Sequence, residues 1–454
     1  MSKKSLSLPI SILLILAFLL SACAGMAPAA GTTSGPAEAK TDANATIEVW
    51  IDAAREESAG KFVDAYPDKG DKVSLTTTDY GLLPQKILFW NNVGGGWPDA
   101  SFGGPQIVPL INDAAHSYLT DLKPYVDPAI IDGFAPGSLE NCWSEGELLC
   151  LRNDLAHFVL WYNATKVKEL GIAIPETYED LQATCAAVKA SNPEIQCALG
   201  QENTSFFNIL VSNQCPFQQI LGAGELRINA THENCVKAAQ WLDKMSQDGY
   251  YKITNMFSAD TSDIVKSDNW LFMPSSSWFG DYVIKGTYYD PADPAFVGKI
   301  GVAPMPKWQG QEHPWVFWWG GAAWVMSRHT QNPQLAADFL VYMTTDVIKE
   351  QGTYPAYMPA ADEWLKNRMP TLTYLEDTTK AGEVLKSEAG HMWTMATEGP
   401  VDIGALFGPI SAKINAGELT YEEALVEWQA VLVDGAGKLG YTPVTDGLSD
   451  FESK

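Results

Sequence analysis

Basic residues are scarce in this chain of 454 residues, which holds 30 Lys and Arg against 55 Asp and Glu and carries a formal net charge of −25. Such acidity argues against nucleic acid or anionic lipid as a partner, because both would repel the chain. The sequence also lacks the Gly-x-Ser-x-Gly, His-Glu-x-x-His and phosphate-loop motifs. These absences argue against the common hydrolase, metalloprotease and nucleotide-dependent enzymes.

Long apolar runs are also lacking, except for residues 10–20. That run is too short to span a bilayer, which needs roughly 20 apolar residues. It follows Lys3 and Lys4 and precedes the small residues before Cys23. A basic start, a short apolar run and small residues predict a secretory signal at 1–22. Its removal would leave a net charge of −27.

The position of Cys23 resembles the lipobox of bacterial lipoproteins, in which the cysteine is diacylated and becomes the new N-terminus. Ordinary signal cleavage beside an incidental cysteine is the alternative. We expect lipidation of Cys23, since more than one acyl chain gives stable membrane attachment. Residues 23–46 hold few large apolar side chains and predict a flexible tether. The expected location is the outer face of the cytoplasmic membrane.

The six remaining cysteines form an even set, and no Cys-x-x-Cys spacing favours a zinc site. Their connectivity does not follow from the sequence. We expect three local disulfides, which are Cys142–Cys150, Cys185–Cys197 and Cys215–Cys235. Disulfides need an oxidising compartment, which agrees with export.

Alternation of apolar and polar residues predicts strands, and helical spacing predicts helices, in a repeating order after residue 46. The first five elements are a strand at 47–51, a helix at 53–66, a strand at 72–77, a helix at 82–91 and a strand at 98–102. This order is typical of a parallel α/β sheet. The remaining residues, 47–454, exceed what one hydrophobic core usually serves, so two lobes are expected.

Similar patterns recur further along the chain. They predict strands at 158–162, 270–274, 300–304 and 322–327, and helices at 166–170, 177–188, 333–345 and 421–432. Thr177 is expected to cap its helix, with Asp180 three residues later.

Several short motifs occur in a recognisable order: Pro98-Asp99-Ala100, Trp161-Tyr162-Asn163, Val302-Ala303-Pro304-Met305-Pro306, Gly320-Gly321 and Tyr354-Pro355. The chain thereby resembles the extracellular solute-binding proteins of the maltose-binding-protein type, which serve carbohydrate ABC importers. The resemblance implies a two-lobed α/β fold of type II with a ligand cleft between the lobes. By position, lobe 1 is 47–155 plus 296–353, and lobe 2 is 156–295 plus 354–454. It also implies a monomer that delivers a sugar to permease subunits, with no cofactor, metal or enzymatic activity.

A sugar site needs aromatic rings for the apolar CH faces and polar groups for the hydroxyl rim. The resemblance places polar candidates after strands that face the cleft: Asp52, Arg55, Glu56, Gln106, Asp154 and Glu202. The alternative for the first three is a solvated helix start with Asp52 as its cap.

Aromatic and glycine candidates come from four segments: Trp278, Trp318, Trp319, Gly320, Gly321, Tyr354 and Tyr357. Adjacent side chains of an extended strand point to opposite faces, so we expect Trp319 in the cleft and Trp318 in the core. The glycines would let backbone amides approach a ligand.

Other ligands and activities remain open at this stage. A polyamine would suit an acidic, aromatic cleft through cation–π contacts. Ferric iron would need paired tyrosines such as Tyr250-Tyr251 or Tyr288-Tyr289. A secreted glycoside hydrolase would need two committed carboxylates, and no pair of acidic residues stands in such a context.

Overall fold

The computed structural model of the chain describes residues 41–104, 107–112, 115–222, 224–290, 292–393 and 399–445. The expected signal, most of the expected tether, Cys23 and Gln106 lie outside these residues, so the predictions for them stay predictions. Within the described ranges, no helix combines the length and the apolar character that a bilayer crossing requires.

Fifteen strands occur in the described residues. They are β1 Ile47–Ile51, β2 Val73–Thr77, β3 Ala100–Gly103, β4 Trp143–Ser144, β5 Glu147–Leu148, β6 Cys150–Arg152, β7 Phe158–Asn163, β8 Gln196–Gln201, β9 Gln219–Gly222, β10 Glu225–Arg227, β11 Tyr251–Thr254, β12 Trp270–Ser276, β13 Ile300–Ala303, β14 Ala323–Met326 and β15 Thr442–Val444.

The α-helices of the same residues also number fifteen. They are α1 Glu56–Ala65, α2 Pro67–Gly70, α3 Leu83–Val93, α4 Ile107–Ile111, α5 Pro128–Ile131, α6 Ala164–Leu170, α7 Tyr178–Ser191, α8 Glu202–Ser212, α9 Glu233–Gln247, α10 Ala259–Lys266, α11 Pro333–Val341, α12 Met358–Asn367, α13 Thr378–Ala389, α14 Ile403–Asn415 and α15 Tyr421–Lys438.

The first large sheet has the order β2-β1-β3-β14-β6. β1 is parallel to β2 and β3, as the alternating pattern predicts. β14 runs antiparallel to both β3 and β6, so the sheet is mixed rather than wholly parallel. β14 enters from a distant part of the chain and not through a helical crossover from β3, so the local strand–helix pattern carried no information about its direction.

The second large sheet has the order β11-β8-β12-β7-β13. Every residue of β7 and β12 is buried, as expected for central strands covered on both faces. β13 pairs with β7 in this sheet, although Ile300–Ala303 falls in the segment 296–353 that we expect in lobe 1. Two buried hydrophobic clusters fill the body. The architecture is a two-lobed α/β fold of the type II kind, while the lobe boundaries stay a prediction.

Two chain segments that connect the two sheets, 153–157 and 316–322, are hydrogen bonded to each other, and 153–157 is also bonded to the segment 353–357 that precedes α12. The Leu155 amide donates to the Tyr354 carbonyl at 3.1 Å, and the Trp319 amide donates to the Ala156 carbonyl at 3.1 Å. Ala156 is buried and has a left-handed backbone with φ of 51°. Of the polar side chains discussed below, Asn153, Asp154 and Thr353 lie in these three segments.

Local signals in the sequence account for several element ends. Thr177 and Asp180 form the predicted capping box at the start of α7. The helix predicted at 53–66 ends at Ala65. Pro67 takes the first position of α2, where a proline needs no amide partner.

All three predicted disulfides are confirmed, joining Cys142 to Cys150, Cys185 to Cys197 and Cys215 to Cys235. The first closes a two-strand hairpin whose turn residues, Glu145 and Gly146, both have positive φ. Such a turn matches the twist of paired strands.

The folded body begins before residue 47. The Asp42 amide donates to the Gln331 carbonyl at 2.7 Å. The side-chain nitrogen Nδ2 of Asn332 donates to the backbone carbonyls of Ala43 and Ala45 at 3.1 and 3.0 Å. Residues 42–45, which composition placed in the tether, are therefore fixed to the loop before α11.

Candidate functional site

Two neighbouring cavities meet at Gly320. The first, called the Asp154 cavity, has a volume of about 250 Å³. Its lining residues are Asp52, Ala54, Arg55, Tyr80, Phe102, Asp154, Trp278, Tyr282, Gly320, Gly321, Ala322 and Thr353.

Asp52 and Arg55 form a charged pair on one wall of the Asp154 cavity. Asp52 follows β1, and the Arg55 guanidinium donates to its Oδ2 at 2.9 Å. The guanidinium also lies 4.3 Å from the centre of the Phe102 ring, in a cation–π contact. Asp52 Oδ1 and Arg55 Nε are buried and have no hydrogen-bond partner among the described residues. The pair therefore keeps unused hydrogen-bonding capacity near the cavity.

Asp154 is 3% exposed and is held by two donors. The Asn153 amide donates to Oδ1 at 3.0 Å, and the Thr353 hydroxyl donates to Oδ2 at 2.5 Å. Asp154 lies in the connecting segment that follows β6, and Thr353 lies in the segment before α12. The carboxylate is therefore positioned by hydrogen bonds from two of these three segments.

Two phenols complete the rim of the Asp154 cavity. Partial burial raises the pKa of Tyr80, and the charges of Asp52 and Asp154 act in the same direction while Arg55 opposes them. Burial likewise raises the pKa of Tyr282. Both side chains are therefore neutral at physiological pH and can donate or accept a hydrogen bond.

Gly320 and Gly321 bring backbone close to the cavity wall. Their φ values are 101° and 70°, a conformation that L-residues with a Cβ rarely adopt. A Cβ on Gly321 would come within 2.8 Å of the Asp154 carbonyl oxygen, and one on Gly320 within 3.0 Å of the Trp278 indole nitrogen. Only glycine fits both positions without displacing these neighbours.

The second cavity, called the Glu202 cavity, has a volume of about 320 Å³. Its lining residues are Gln201, Glu202, Asn203, Thr204, Phe207, Phe317, Trp318, Trp319, Gly320, Asp402, Ile403 and Gly404. The volume is at the lower end of the range of ligand pockets, roughly 300–1,000 Å³.

Two helix starts face the Glu202 cavity. Glu202 is the first residue of α8, and Asp402 precedes α14 and accepts from the Ala405 amide at 2.9 Å. Asn203 presents a buried Oδ1 with no hydrogen-bond partner among the described residues. These carboxylate and amide oxygens are acceptors, while the amide groups of Gln201 and Asn203 and the Thr204 hydroxyl add donors to the lining.

Tryptophans form the boundary between the two cavities. The indoles of Trp278 and Trp319 lie 5.1 Å apart, centre to centre. Trp278 lines the Asp154 cavity, whereas Trp319 lines the Glu202 cavity. Trp318 was expected in the core; it is 3% exposed, yet it also lines the Glu202 cavity. Residues 318 and 319 are not part of a regular strand, so the alternation on which that expectation relied does not apply.

Not all candidate residues line these cavities. Glu56 is exposed on α1, and Tyr354 is fully buried against Trp364, so both lie outside the lining. Tyr357 packs against Phe134 and is also outside. Asp52, Arg55, Asp154, Trp278, Gly320 and Gly321 line the first cavity, and Glu202, Trp318, Trp319 and Gly320 line the second.

The lining residues that sequence reasoning missed include Tyr80, Tyr282, Thr353 and Asp402. Tyr80 follows β2 as Asp52 follows β1, so its position after a parallel strand was an available signal. Asp402 could have been found as a helix cap before the apolar start of α14. Thr353 and Tyr282 carry no local pattern that separates them from other polar or aromatic residues.

The arrangement suits reversible binding of a polar, partly apolar solute. It offers indole and phenol rings, carboxylates and a guanidinium over a groove that spans two adjoining cavities. Among the described residues, no cluster of three or more His, Cys, Asp or Glu could hold a metal ion.

Comparison with solved structures identifies the same fold in several proteins. The binding protein associated with an ABC transporter of B. animalis subsp. lactis, solved with beta-1,6-galactobiose, matches with a TM-score of 0.71 at 20% identity, over 88% of this chain and 99% of that chain. The sugar-binding protein MalE from Xanthomonas citri matches with a TM-score of 0.69 at 17% identity, over 87% and 98%. The GacH receptor of Streptomyces glaucescens, solved unliganded and with acarbose, gives 0.66 at 17% identity, over 88% and 99%.

A search of curated protein sequences found no match. The sequence profile described as bacterial extracellular solute-binding protein matches residues 98–350, which is more than half of the chain. The matched segment includes the strands and connecting segments that carry Asp154, Trp278 and Trp319. This chain belongs to the bacterial extracellular solute-binding protein family.

Proposed function

We propose that the protein captures a mono- or oligosaccharide outside the cytoplasmic membrane and delivers it to the permease of an ABC importer. The observation that carries this proposal is the pair of cavities that adjoin at Gly320, with Trp278 and Trp319 between them. Aromatic faces beside carboxylates and amides match the two surfaces of a sugar, its CH face and its hydroxyl rim. Similar structures with bound beta-1,6-galactobiose and lacto-N-biose support the same ligand class.

The connecting segments give this function a mechanism. The Thr353 hydroxyl binds Asp154, which joins the segments 353–357 and 153–157. The Trp319 amide binds the Ala156 carbonyl, which joins 316–322 to 153–157. A ligand that contacts groups carried by both sheets favours the arrangement in which those groups are close. The permease can then distinguish a loaded from an empty protein by that difference in shape.

Export and membrane attachment complete the proposal. The basic start, the short apolar run and Cys23 support a lipid-anchored receptor, and three buried disulfides support an oxidising compartment. Metabolic labelling with an alkyne analogue of palmitate tests the anchor. Label is expected on the wild-type protein and absent from Cys23→Ser; equal labelling of the two would contradict lipidation at Cys23.

A thermal-shift screen tests the ligand class. Neutral oligosaccharides, spermidine, ferric citrate and zinc chloride are added separately to the purified protein, because a ligand of the native state raises the melting temperature. We expect stabilisation by at least one neutral oligosaccharide, and chromatography should recover that sugar uncleaved. Stabilisation by spermidine or a metal salt alone would contradict the proposal, and cleavage of the sugar would indicate a glycoside hydrolase.

A further inference from the structure

The ionisable side chains that line the two cavities are mostly acidic. Asp52, Arg55 and Asp154 line the first cavity, and Glu202 and Asp402 line the second. No Lys or Arg occurs in the lining of the Glu202 cavity, within the described part of the chain. Arg55 is the one lining cation among the described residues, and its positive charge is balanced by Asp52, 2.9 Å away.

The amino ends of helices oppose the negative charge of this lining, because the amino end of a helix attracts anions. Glu202 begins α8 and Asp402 caps α14, so two such ends meet the Glu202 cavity. Each end contributes roughly half a positive charge, whereas each carboxylate contributes a full negative charge. The sum is about one negative charge. The helix ends therefore favour ionised carboxylates without making the cavity attractive to an anion.

Several hydrogen-bonding groups of the Glu202 cavity also favour a positively charged ligand group over an anionic one. The Glu202 and Asp402 carboxylates accept only, and the buried Oδ1 of Asn203 lacks a donor among the described residues. The walls add the rings of Trp318 and Trp319, whose faces attract cations. A ligand group with several donors and a positive charge satisfies all of these features together.

We infer that the Glu202 cavity selects sugars by charge, favouring an amino sugar over its neutral counterpart and rejecting a uronic acid. This inference rests on the proposed carbohydrate function. An ammonium group supplies three donors and a positive charge, a hydroxyl supplies one donor, and a carboxylate supplies none and is repelled. Glu202 and Asp402 are the residues that set this order.

Three sets of oligosaccharides of two to six rings test the inference by thermal shift. Chitosan oligosaccharides carry amines, a mixture of cello- and malto-oligosaccharides is neutral, and oligogalacturonides are acidic. At low salt we expect the half-saturating concentration of the amino set to be about tenfold below that of the neutral set, equivalent to ~1.4 kcal/mol. The acidic set should give no shift. Raising the salt from about 0.01 M to about 1 M should remove most of the preference.

Variants connect the preference to the two carboxylates. Glu202→Gln and Asp402→Asn remove charge with little change in shape, and Asn still caps a helix. Each should reduce the amine preference severalfold, and the double variant should abolish it. Glu233→Gln is the matched control, because Glu233 also begins a helix but lies outside both cavities.

The outcomes separate this inference from the proposed function. Sugar binding without a charge order, binding of the acidic set as tight as that of the neutral set, or an unchanged order in the double variant would each overturn the inference alone. If spermidine stabilises the protein while none of the sugar sets does, the carbohydrate function itself fails.

Discussion

The indole nitrogen of Trp278 donates a hydrogen bond of 2.6 Å to the backbone carbonyl of Trp319. The same carbonyl accepts from the Ser276 hydroxyl at 2.8 Å. Ser276 ends β12 in the second sheet, whereas Trp319 lies in the segment that leads to β14 in the first sheet. The orientation of the Trp278 ring and the backbone path at the junction of the two cavities are therefore fixed together.

Substitution of Trp278 tests its contribution to ligand binding. Trp278→Ala removes an aromatic wall worth about 2–3 kcal/mol of buried apolar surface, so the Kd for the bound oligosaccharide should rise about 30- to 150-fold. Trp278→Phe keeps a ring but loses the hydrogen bond to Trp319, and its Kd should fall between those of the wild type and Trp278→Ala. Isothermal titration calorimetry measures all three.

Trp143→Ala is the control for the Trp278 substitutions. Trp143 is 41% exposed on the β4–β5 hairpin and lines neither cavity. Its substitution should leave the Kd within about twofold of the wild-type value, a difference of under ~0.5 kcal/mol. Equal affinities of Trp278→Ala and the wild type would refute the role of Trp278.

Gly321 and Gly298 allow backbone strain to be separated from steric clash. Their φ values are 70° and 67°, so an alanine at either position bears a similar strain of about 1–2 kcal/mol. Only at Gly321 would the new Cβ meet neighbours, with the Asp154 carbonyl oxygen 2.8 Å away; nothing lies within 4 Å at Gly298. The free energy of unfolding of Gly321→Ala, from urea denaturation, should be lower than that of Gly298→Ala by about 1–3 kcal/mol. Equal free energies of unfolding for the two variants would contradict the prediction, because the residues around Gly321 would then accommodate a Cβ without loss of stability.

His157 makes folding sensitive to acid. The side chain is fully buried, and burial lowers its pKa from 6.5 to about 3. Between these pH values His157 binds a proton in the unfolded chain but not in the folded chain. The neutral, buried His157 therefore contributes fully to the free energy of unfolding above pH 6.5, and this contribution is lost as the pH falls. With about 1.4 kcal/mol per pKa unit, the loss at about pH 4.5 is about 3 kcal/mol.

His157→Phe should remove that contribution to the pH dependence while keeping a ring against Tyr354, whose centre lies 5.2 Å away. Urea denaturation at pH 7 and at about pH 4.5 measures the difference. His232→Asn retains a helix-capping group on α9 and serves as the control for replacing a histidine. A slope in His157→Phe equal to that of the wild type would assign the acid sensitivity to other groups.

The Cys215–Cys235 disulfide closes the longest of the three loops, with a sequence separation of 20. Replacing both cysteines by alanine should lower the free energy of unfolding by about 3 kcal/mol, since the unfolded chain gains conformational freedom. Cys23→Ser, which leaves all six paired cysteines intact, should not change the melting temperature. Calorimetry of the purified proteins compares them, and an equal effect of the two changes would contradict the prediction.

Sequence patterns predicted those helices and strands that are specified by local signals within their own residues. β1, β7 and α7 follow from apolar alternation, a buried apolar run and the Thr177 cap. The antiparallel direction of β14 could not be predicted, because strand direction depends on the path of the chain between distant segments. The helices α12 and α13 were also missed, although each has one apolar face and α13 begins at the capping residue Asp377.

The candidate site shows the same division. Asp154, Trp278 and Trp319 were placed by resemblance to a family motif, and the structure brings them to adjoining cavities. The expectation for Trp318 rested on regular strand geometry, which the chain abandons just before Gly320. Thr353 holds Asp154 through a contact between residues 199 positions apart, which no local pattern encodes.

The attachment of residues 42–45 to the loop before α11 has a mechanical consequence. A force applied along the N-terminal chain would reach the Asn332 amide and its bonds to Ala43 and Ala45 before it reached β1. Together with the bond from Asp42 to Gln331, these bonds would carry the load before the pairing of β1 with β2 did. The Asn332 side chain thus helps to keep tension on the N-terminal chain from reaching the first sheet.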